Sequence, residues 1–380
     1  MPATQIYSIV NTIANNIGYT GTAVVDATSF AAFASSGITG NTEAVYNTLY
    51  DLIGRTVIAI DEAEDEDRGI VVDAFEYGSI LQKLSFITQA AETDSDWNIA
   101  SPVNPYTLTA KGGVVQKFFE QTIPAFEWND VQYDKQLREA FHSPETLAGF
   151  LDGLYTRMRN AYKRSKLGLA DAAVGALIAK AYGDSTDLNY SRRVRSLLTE
   201  YNTLYMGGNP LSKDVAMVTP AYLEFVRKQI ITDQKNLNKL THLYNEIGPS
   251  GSEVPIDRRT SLDNLNLDIS LSVALSYDKY WADSYNTEFV KFPKHNEIVN
   301  WGIATNPDEV VISIDGGQTT VTVDDIIGVM YDKDAVVATM DRSRFVSMYD
   351  QWNDRNCFKL AAERRYVIDP TENHIIYLNK

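Results

Sequence analysis

Four histidines, one dense acidic run and two glycine-containing turns are the residues best equipped for chemistry in this sequence. His142, His242, His295 and His374 could each ligate zinc or act as a base. None stands within two to five residues of another His, a Cys or a paired acid, whereas zinc sites gather their ligands in clusters. Satisfied or exposed histidines are the plainer reading. Gly207-Gly208-Asn209-Pro210-Leu211-Ser212-Lys213 has the outline of a phosphate loop, but it holds a Pro and lacks the Gly before its Lys. Gly248-Pro249-Ser250-Gly251-Ser252 is one residue too short for a nucleophile elbow and reads as a turn. Glu120 and Glu127 could form a glycosidase pair, with 22 Tyr and 5 Trp available to stack on sugars. No distinctive motif surrounds them, and aromatic residues also fill cores and subunit contacts. The expectation is a protein with no catalytic set and no cofactor.

The acidic run, Asp61-Glu62-Ala63-Glu64-Asp65-Glu66-Asp67, admits three readings. A calcium loop that starts at Asp65 would use Asp67 third and Glu76 twelfth, but Ile70 stands where the sharp turn needs Gly. A solvated acidic loop is the second reading. The third is a subunit interface, in which the run meets basic residues of a neighbour. Arg159, Lys163 and Lys166 share one helical face and are the first candidates; Arg192, Arg193 and Arg195 are the second. Exposed pairs of this kind contribute only ~0 to 1 kcal/mol each. Repeated over many copies, they would set register.

The whole chain has 380 residues, enough for two or three subdomains. Acidic residues outnumber basic ones 50 to 34, for a net charge of −16. Proteins that grip nucleic acid use Lys and Arg against phosphates, so this balance argues against a regulator and suits a wall to which DNA does not stick. Cys357 is the single cysteine and excludes an intrachain disulfide. Met1-Pro2-Ala3-Thr4-Gln5 lacks the basic and apolar start of a signal peptide, and no run of ~18 apolar residues is present. A soluble chain made without an export signal, with no membrane partner, is expected.

Along the chain, Ile6, Ile9, Val10, Ile13 and Ile17 fall at helical spacing, and Gly18 follows as a stop. Ser29 to Gly40 holds little bulk beyond Phe30 and Phe33. A helix is predicted over Thr42 to Ile53, with Asn41 as cap and Gly54 as its end. These short helices cannot form a core alone and must lie on the rest of the chain or on a neighbour. Arg55 to Ile60 reads as a strand. Gly69 to Trp128 reads as a two-stranded excursion with a polar tip, outgoing through Ile80 to Ile87 and returning through Val114 to Phe126. Such a ribbon is marginal alone and needs a partner surface.

Ser143-Pro144-Glu145 then opens a helix of close to 40 residues, ~55 to 60 Å long, that runs to Gly183. Helices are predicted over Ser191 to Tyr205 and from Thr219-Pro220, with a short strand at Asp214 to Val218 between them. Gly248 to Asn266 reads as loop and Leu267 to Leu275 as strand. Val310 to Ile314 and Thr319 to Val323, joined at Asp315-Gly316-Gly317, carry a strong hairpin signal. Strands are expected at Ile326 to Tyr331, Ala335 to Met340, Phe358 to Ile368 and His374 to Leu378.

This order of parts, with three local patterns, carries a resemblance. The patterns are Ile6-Tyr7-Ser8-Ile9-Val10-Asn11 with Tyr50-Asp51-Leu52-Ile53-Gly54-Arg55, then Ile327-Gly328-Val329-Met330-Tyr331-Asp332-Lys333-Asp334-Ala335, then Ala361-Ala362-Glu363-Arg364-Arg365-Tyr366-Val367-Ile368-Asp369-Pro370. The sequence resembles the major capsid proteins of tailed bacteriophages, most closely those of small short-tailed phages and related gut phages. The resemblance covers nearly the whole chain by architecture and is weakest over Met206 to Thr305.

The resemblance implies an α+β tailed-phage major capsid fold. Its parts would be an N-terminal arm (1–54), an extended two-stranded loop (55–128), a peripheral domain with a spine helix (129–206), a mixed α/β axial domain (207–340) and return strands (341–380). It further implies self-association into pentamers and hexamers through head-to-tail contacts, with arm and loop lying over adjacent subunits. The shell would enclose double-stranded DNA without sequence-specific binding, and a scaffolding protein and a portal would be the other partners. The protein would reside in the phage head, assembled in the host cytoplasm. Another virion or surface-layer structural protein is the alternative, followed by a carbohydrate-active hydrolase.

Overall fold

The computed structural model describes residues 3–21, 23–36, 44–45, 48, 68–72, 82–86, 114–118, 121–133, 141–183, 192–245, 257–281, 292–301, 308–314, 319–350, 352–353 and 355–380. Its elements, in chain order, are α1 (Ala3–Asn16), α2 (Ala27–Ser36), β1 (Val71–Val72), β2 (Gln82–Phe86), β3 (Val114–Phe118), β4 (Gln121–Tyr133), α3 (Pro144–Gly183), β5 (Val194–Ser196), α4 (Leu197–Tyr201), α5 (Lys213–Ala216), α6 (Pro220–Leu237), β6 (Leu265–Ser270), α7 (Leu271–Trp281), β7 (Asn296–Ile298), β8 (Val310–Ile314), β9 (Thr319–Val323), β10 (Ile326–Asp332), β11 (Val336–Asp350), β12 (Arg355–Ile368) and β13 (His374–Leu378). The chain forms two compact units, each assembled from three separated stretches. The predicted strand Arg55 to Ile60, nearly all of the predicted helix Thr42 to Ile53 and the tip of the Gly69 to Trp128 excursion lie outside the described residues.

The first unit holds residues 1–74, 122–169 and 339–365. Its core gathers Val10 and Ile13 of α1, Phe30 and Phe33 of α2, Phe141, and Leu147, Leu151, Leu154 and Met158 of α3, with Phe358 and Leu360 of β12. Helices α1 and α2 therefore rest on their own chain. Phe30 and Phe33 are 1% and 0% exposed, and each such burial contributes about 2 kcal/mol. Asn11 fixes the turn after α1: its Nδ2 donates to Val24 O at 2.8 Å, and its Oδ1 accepts from Val24 N at 2.7 Å. Gly18 ends the helix with φ 70°, a conformation open to glycine. Asp26 caps α2 by accepting from Ser29 N at 2.7 Å. A four-stranded sheet in the order β1-β11-β12-β4 contributes the other long elements.

Helix α3 runs unbroken for 40 residues. Ser143 caps it: its Oγ accepts from Thr146 N at 3.3 Å, while Thr146 Oγ1 accepts from Ser143 N at 2.9 Å. Pro144 supplies the preset first turn. Up to Tyr162 the helix buries one stripe at spacings of three and four. From Leu169 to Ala181 it is enclosed nearly all round, which its run of Ala permits.

The second unit holds residues 75–121, 170–338 and 366–380. A five-stranded sheet runs β5-β13-β10-β6-β7. β10 pairs antiparallel with both β13 and β6, Val329 standing between Ile376 and Asp268. β5 and β7 close the edges in parallel pairings. Every residue of β10 and β13 is buried, as expected of strands covered on both faces. Gly328 is required there, since a Cβ would stand 2.7 Å from Asp268 O on β6.

Helix α6 covers the sheet through Tyr222, Leu223, Val226, Ile230 and Leu237. β2 and β3 pair antiparallel from Gln82↔Phe118 to Phe86↔Val114. β8 and β9 form the predicted hairpin, Val310↔Val323 to Ile314↔Thr319. A Cβ on Gly175 of α3 would stand 2.7 Å from Ile312 Cδ1, so the hairpin lies close on that helix.

Three predicted elements change type. Ser191 to Tyr205 is not one helix: Val194–Ser196 is a strand because it pairs with Ile376, Tyr377 and Leu378, and the helix starts only at Leu197. Asp214 to Val218 is a helical turn, Lys213–Ala216, not a strand. Strand β6 ends at Ser270, and Leu271 begins a helix in which Val273, Ala274 and Tyr277 point inward at helical spacing.

Candidate assembly interface

The acidic run Asp61, Glu62, Glu64, Asp65, Glu66 and Asp67 lies outside the described residues. The chain leaves it through Arg68 and Gly69, both with positive φ (61° and 67°), before β1 joins the edge of the four-stranded sheet. Arg159, Lys163 and Lys166 follow one face of α3 at spacings of four and three. All three are half-buried, and each has a partner group within the chain.

The more exposed Arg157 donates from Nη2 to Asp130 Oδ1 at 2.9 Å, and Gln132 Nε2 donates to Asp130 Oδ2 at 2.8 Å. Asp130 is buried, so this pair ties α3 to β4. Glu127, one of the two carboxylates weighed as a glycosidase pair, is exposed and pairs with Lys359 at 2.5 Å; Glu120 lies outside the described residues.

Of the second set of basic candidates, Arg192 is exposed while Arg193 and Arg195 face inward. Arg195 sits between two acids: Nη1 donates to Asp233 Oδ2 at 2.6 Å, and Nε donates to Glu200 Oε1 at 3.0 Å. Burial works against its charge, but Glu200 and Asp233 outweigh burial and hold the guanidinium firmly protonated. Asp233 itself lies on the buried stripe of α6 and accepts from Tyr377 on β13 at 3.1 Å.

Two further polar sets stitch the sheet. Asp268 accepts from Tyr331 Oη at 3.0 Å and from Asn296 Nδ2 at 2.8 Å. Thr260 Oγ1 donates to Asp332 at 2.7 Å and accepts from Asn373 at 3.2 Å. Buried polar groups are in the great majority hydrogen-bonded; here the first set joins β6, β7 and β10, and the second ties loops to β10. Sequence reasoning missed them. The available signal was an acid, Asp233, at a position where the stripe Leu223, Val226, Ile230, Leu237 calls for an apolar residue.

The histidines are dispersed. His142 is exposed. His242 Nδ1 lies 3.0 Å from Asp257, and His295 Nδ1 lies 2.8 Å from Pro293 O. His374 is wholly buried, its Nδ1 2.9 Å from Glu372 O. Burial first, then the charge of Arg193, lowers its pKa to about 4. Among the described residues, no three His, Cys, Asp or Glu gather into a metal-holding group. The Gly207 to Lys213 turn is pinned by Asn202, whose side chain bonds both N and O of Leu211, and Lys213 pairs with Asp325. Gly248 to Ser252 lies outside the described residues. No described helix is long and apolar enough to cross a membrane.

What remains exposed on the first unit includes the turn between β11 and β12. Asp350 organises it: Oδ1 accepts from Trp352 N at 3.1 Å, while Oδ2 accepts from Asn353 Nδ2 and Arg355 Nε, each at 2.8 Å.

The architecture has counterparts in fold but not in sequence. The capsid structure of Staphylococcus phage Andhra shares 9% identity over 82% of this chain and 83% of that one, with a TM-score of 0.54. A chain from the structure of head fiber and inner core protein gp22 of native bacteriophage P68 shares 10% identity over 82% and 84%, with a TM-score of 0.50. At such identities the likeness establishes the fold alone. A search of curated proteins found no match. The family model for the Phi29-like phage major capsid protein matches residues 7–378. With almost the entire length matched and a tailed-phage capsid fold beneath it, the chain belongs to the Phi29-like phage major capsid protein family.

Proposed function

We propose that copies of this chain close into pentamers and hexamers that together form the phage head around double-stranded DNA, and that the protein catalyses nothing. The observation that carries this reading is the capsid family match over residues 7–378. The capsid role is that of the family; ring closure, contents and partners are the proposal. Head-to-tail contacts that close are the economical route from one chain to a shell. A charge of −16 keeps packaged DNA from adhering to the wall, so enclosure needs no sequence-specific contact.

In this reading 1–54 acts as the N-terminal arm, 55–128 as the extended loop, 129–206 as the peripheral domain, 207–340 as the axial domain and 341–380 as its return strands. The acidic run Asp61 to Asp67 meets the Arg159, Lys163 and Lys166 face of a neighbour. A scaffolding protein and a portal join the assembly in the host cytoplasm. Negative-stain microscopy of the purified chain, alone and coexpressed with its neighbouring genes, tests the proposal. Closed shells of uniform size are expected; discrete small particles or flat lattices under both conditions would overturn it.

A further inference from the structure

We infer that Trp352 is an anchor by which one copy of this chain docks on a second copy, an inference that rests on the capsid reading above. Trp352 occupies the turn between β11 and β12 and is 97% exposed. Its own chain covers almost none of a side chain that is normally largely buried. Yet its backbone is held, because the single carboxylate of Asp350 receives the Trp352 N–H, the Asn353 amide and the Arg355 guanidinium. A side chain carried on a fixed backbone loses little freedom on docking, so more of its apolar surface is available as affinity. Two residues of the strand that leads into the turn extend the patch. Val346 is 47% exposed and Met348 is 63% exposed, and their alternate positions put them on one face of β11.

Charge identifies the occupant. At −16 per chain, copies repel one another over most of their surface. The stretch Asp341 to Glu363 contains four acidic and four basic residues and is neutral. At its turn, Asp350 and Arg355 neutralise each other directly. Like-charged copies meet with least repulsion where net charge is low and apolar surface is exposed, and the neutral stretch Asp341 to Glu363 with its exposed Trp352 offers both. Tryptophan is among the residue types most enriched in the few positions that dominate protein–protein affinity.

The test compares the full wild-type chain with Trp352→Ala and Trp352→Phe under crowding and in coexpression with the neighbouring genes. Circular dichroism and thermal unfolding should be the same for all three, since the side chain supports nothing in its own fold. Trp352→Ala is expected to raise the concentration at which shells appear by about tenfold or more, and Trp352→Phe to restore part of the difference. The Trp352 share of the fluorescence, taken as wild type minus Trp352→Phe, should become shielded from acrylamide as shells form. Trp352→Ala shells at the wild-type concentration, or a Trp352 still quenched in wild-type shells, would overturn the inference and leave the capsid reading standing. Shielding that appears only when a different protein is added would also overturn it. A wild-type chain that builds nothing under either condition would overturn the capsid reading, and this inference with it.

Discussion

The hydroxyl of Tyr377, on the strand reached last along the chain, donates to Asp233 in the buried stripe of helix α6, 3.1 Å away. Tyr377 is on β13, between β5 and β10 of the five-stranded sheet, so this bond couples the helix that covers the sheet to an interior strand.

Removing the acid should therefore act on the fold of the second unit as a whole. Asp233→Ala leaves the Arg195 charge with Glu200 alone and takes away the acceptor of Tyr377. A loss of about 3 kcal/mol is expected, read as a lower denaturant midpoint at unchanged slope. Tyr377→Phe should lose only about 1 kcal/mol.

His374 makes stability depend on pH. Its folded pKa lies below its unfolded one, at about 4 against the ordinary 6.5. The unfolded chain therefore binds the extra proton first as pH falls. The neutral imidazole contributes stability that is complete above pH 6.5 and is lost between there and about 4, up to about 3 kcal/mol. Thermal melts over that window should show a steeper decline in the wild type than in His374→Asn, whatever the variant's absolute stability. Parallel slopes for the two would exclude the mechanism.

Gly328→Ala should force β10 away from β6, because the new methyl group meets a backbone carbonyl at 2.7 Å and not a side chain that can swing aside. A destabilisation of about 1–3 kcal/mol is expected. Gly175→Ala is the internal comparison: its added carbon meets only the tip of Ile312, and a smaller change should be measured by the same unfolding titration.

Charge reversal of the acidic run, Asp61 to Asp67 replaced by lysines, should leave the monomer folded and impair assembly, measured by sedimentation at low and moderate salt. Each contact is small and screened, so the defect should be cumulative over the run. Unaltered shells from the reversed chain would remove the run from the interface.

The elements legible in the sequence were those whose signals are local. The Ser143-Pro144-Glu145 start, the inward spacing of α3, the β8–β9 alternation around Gly316-Gly317 and the stretch His374 to Leu378 all declare themselves within a few turns or residues. The misread elements depend on distant partners. Val194 to Ser196 borders the helical spacing of Leu197, Leu198 and Tyr201, and only its pairing with residues some 180 positions later makes it a strand. Leu267 to Leu275 satisfied alternation and helical spacing at once, and the packing of Tyr277 decided for helix after Ser270. Arg193 and Arg195 looked like surface charge, because nothing near them in sequence reveals that Asp233 and His374 enclose them. Trp352 drew no attention, since a lone tryptophan ordinarily means core.

The place of β13 in its sheet governs when the protein can exist at all. It lies between β5 and β10, so the gap between those two strands stays open until residues 374–378 have been synthesised. A chain interrupted between β10 and β13 leaves the facing edges of β5 and β10 unpaired and the second unit unfinished. A premature stop short of β13 thus costs the protein the strand that joins β5 to the rest of the sheet.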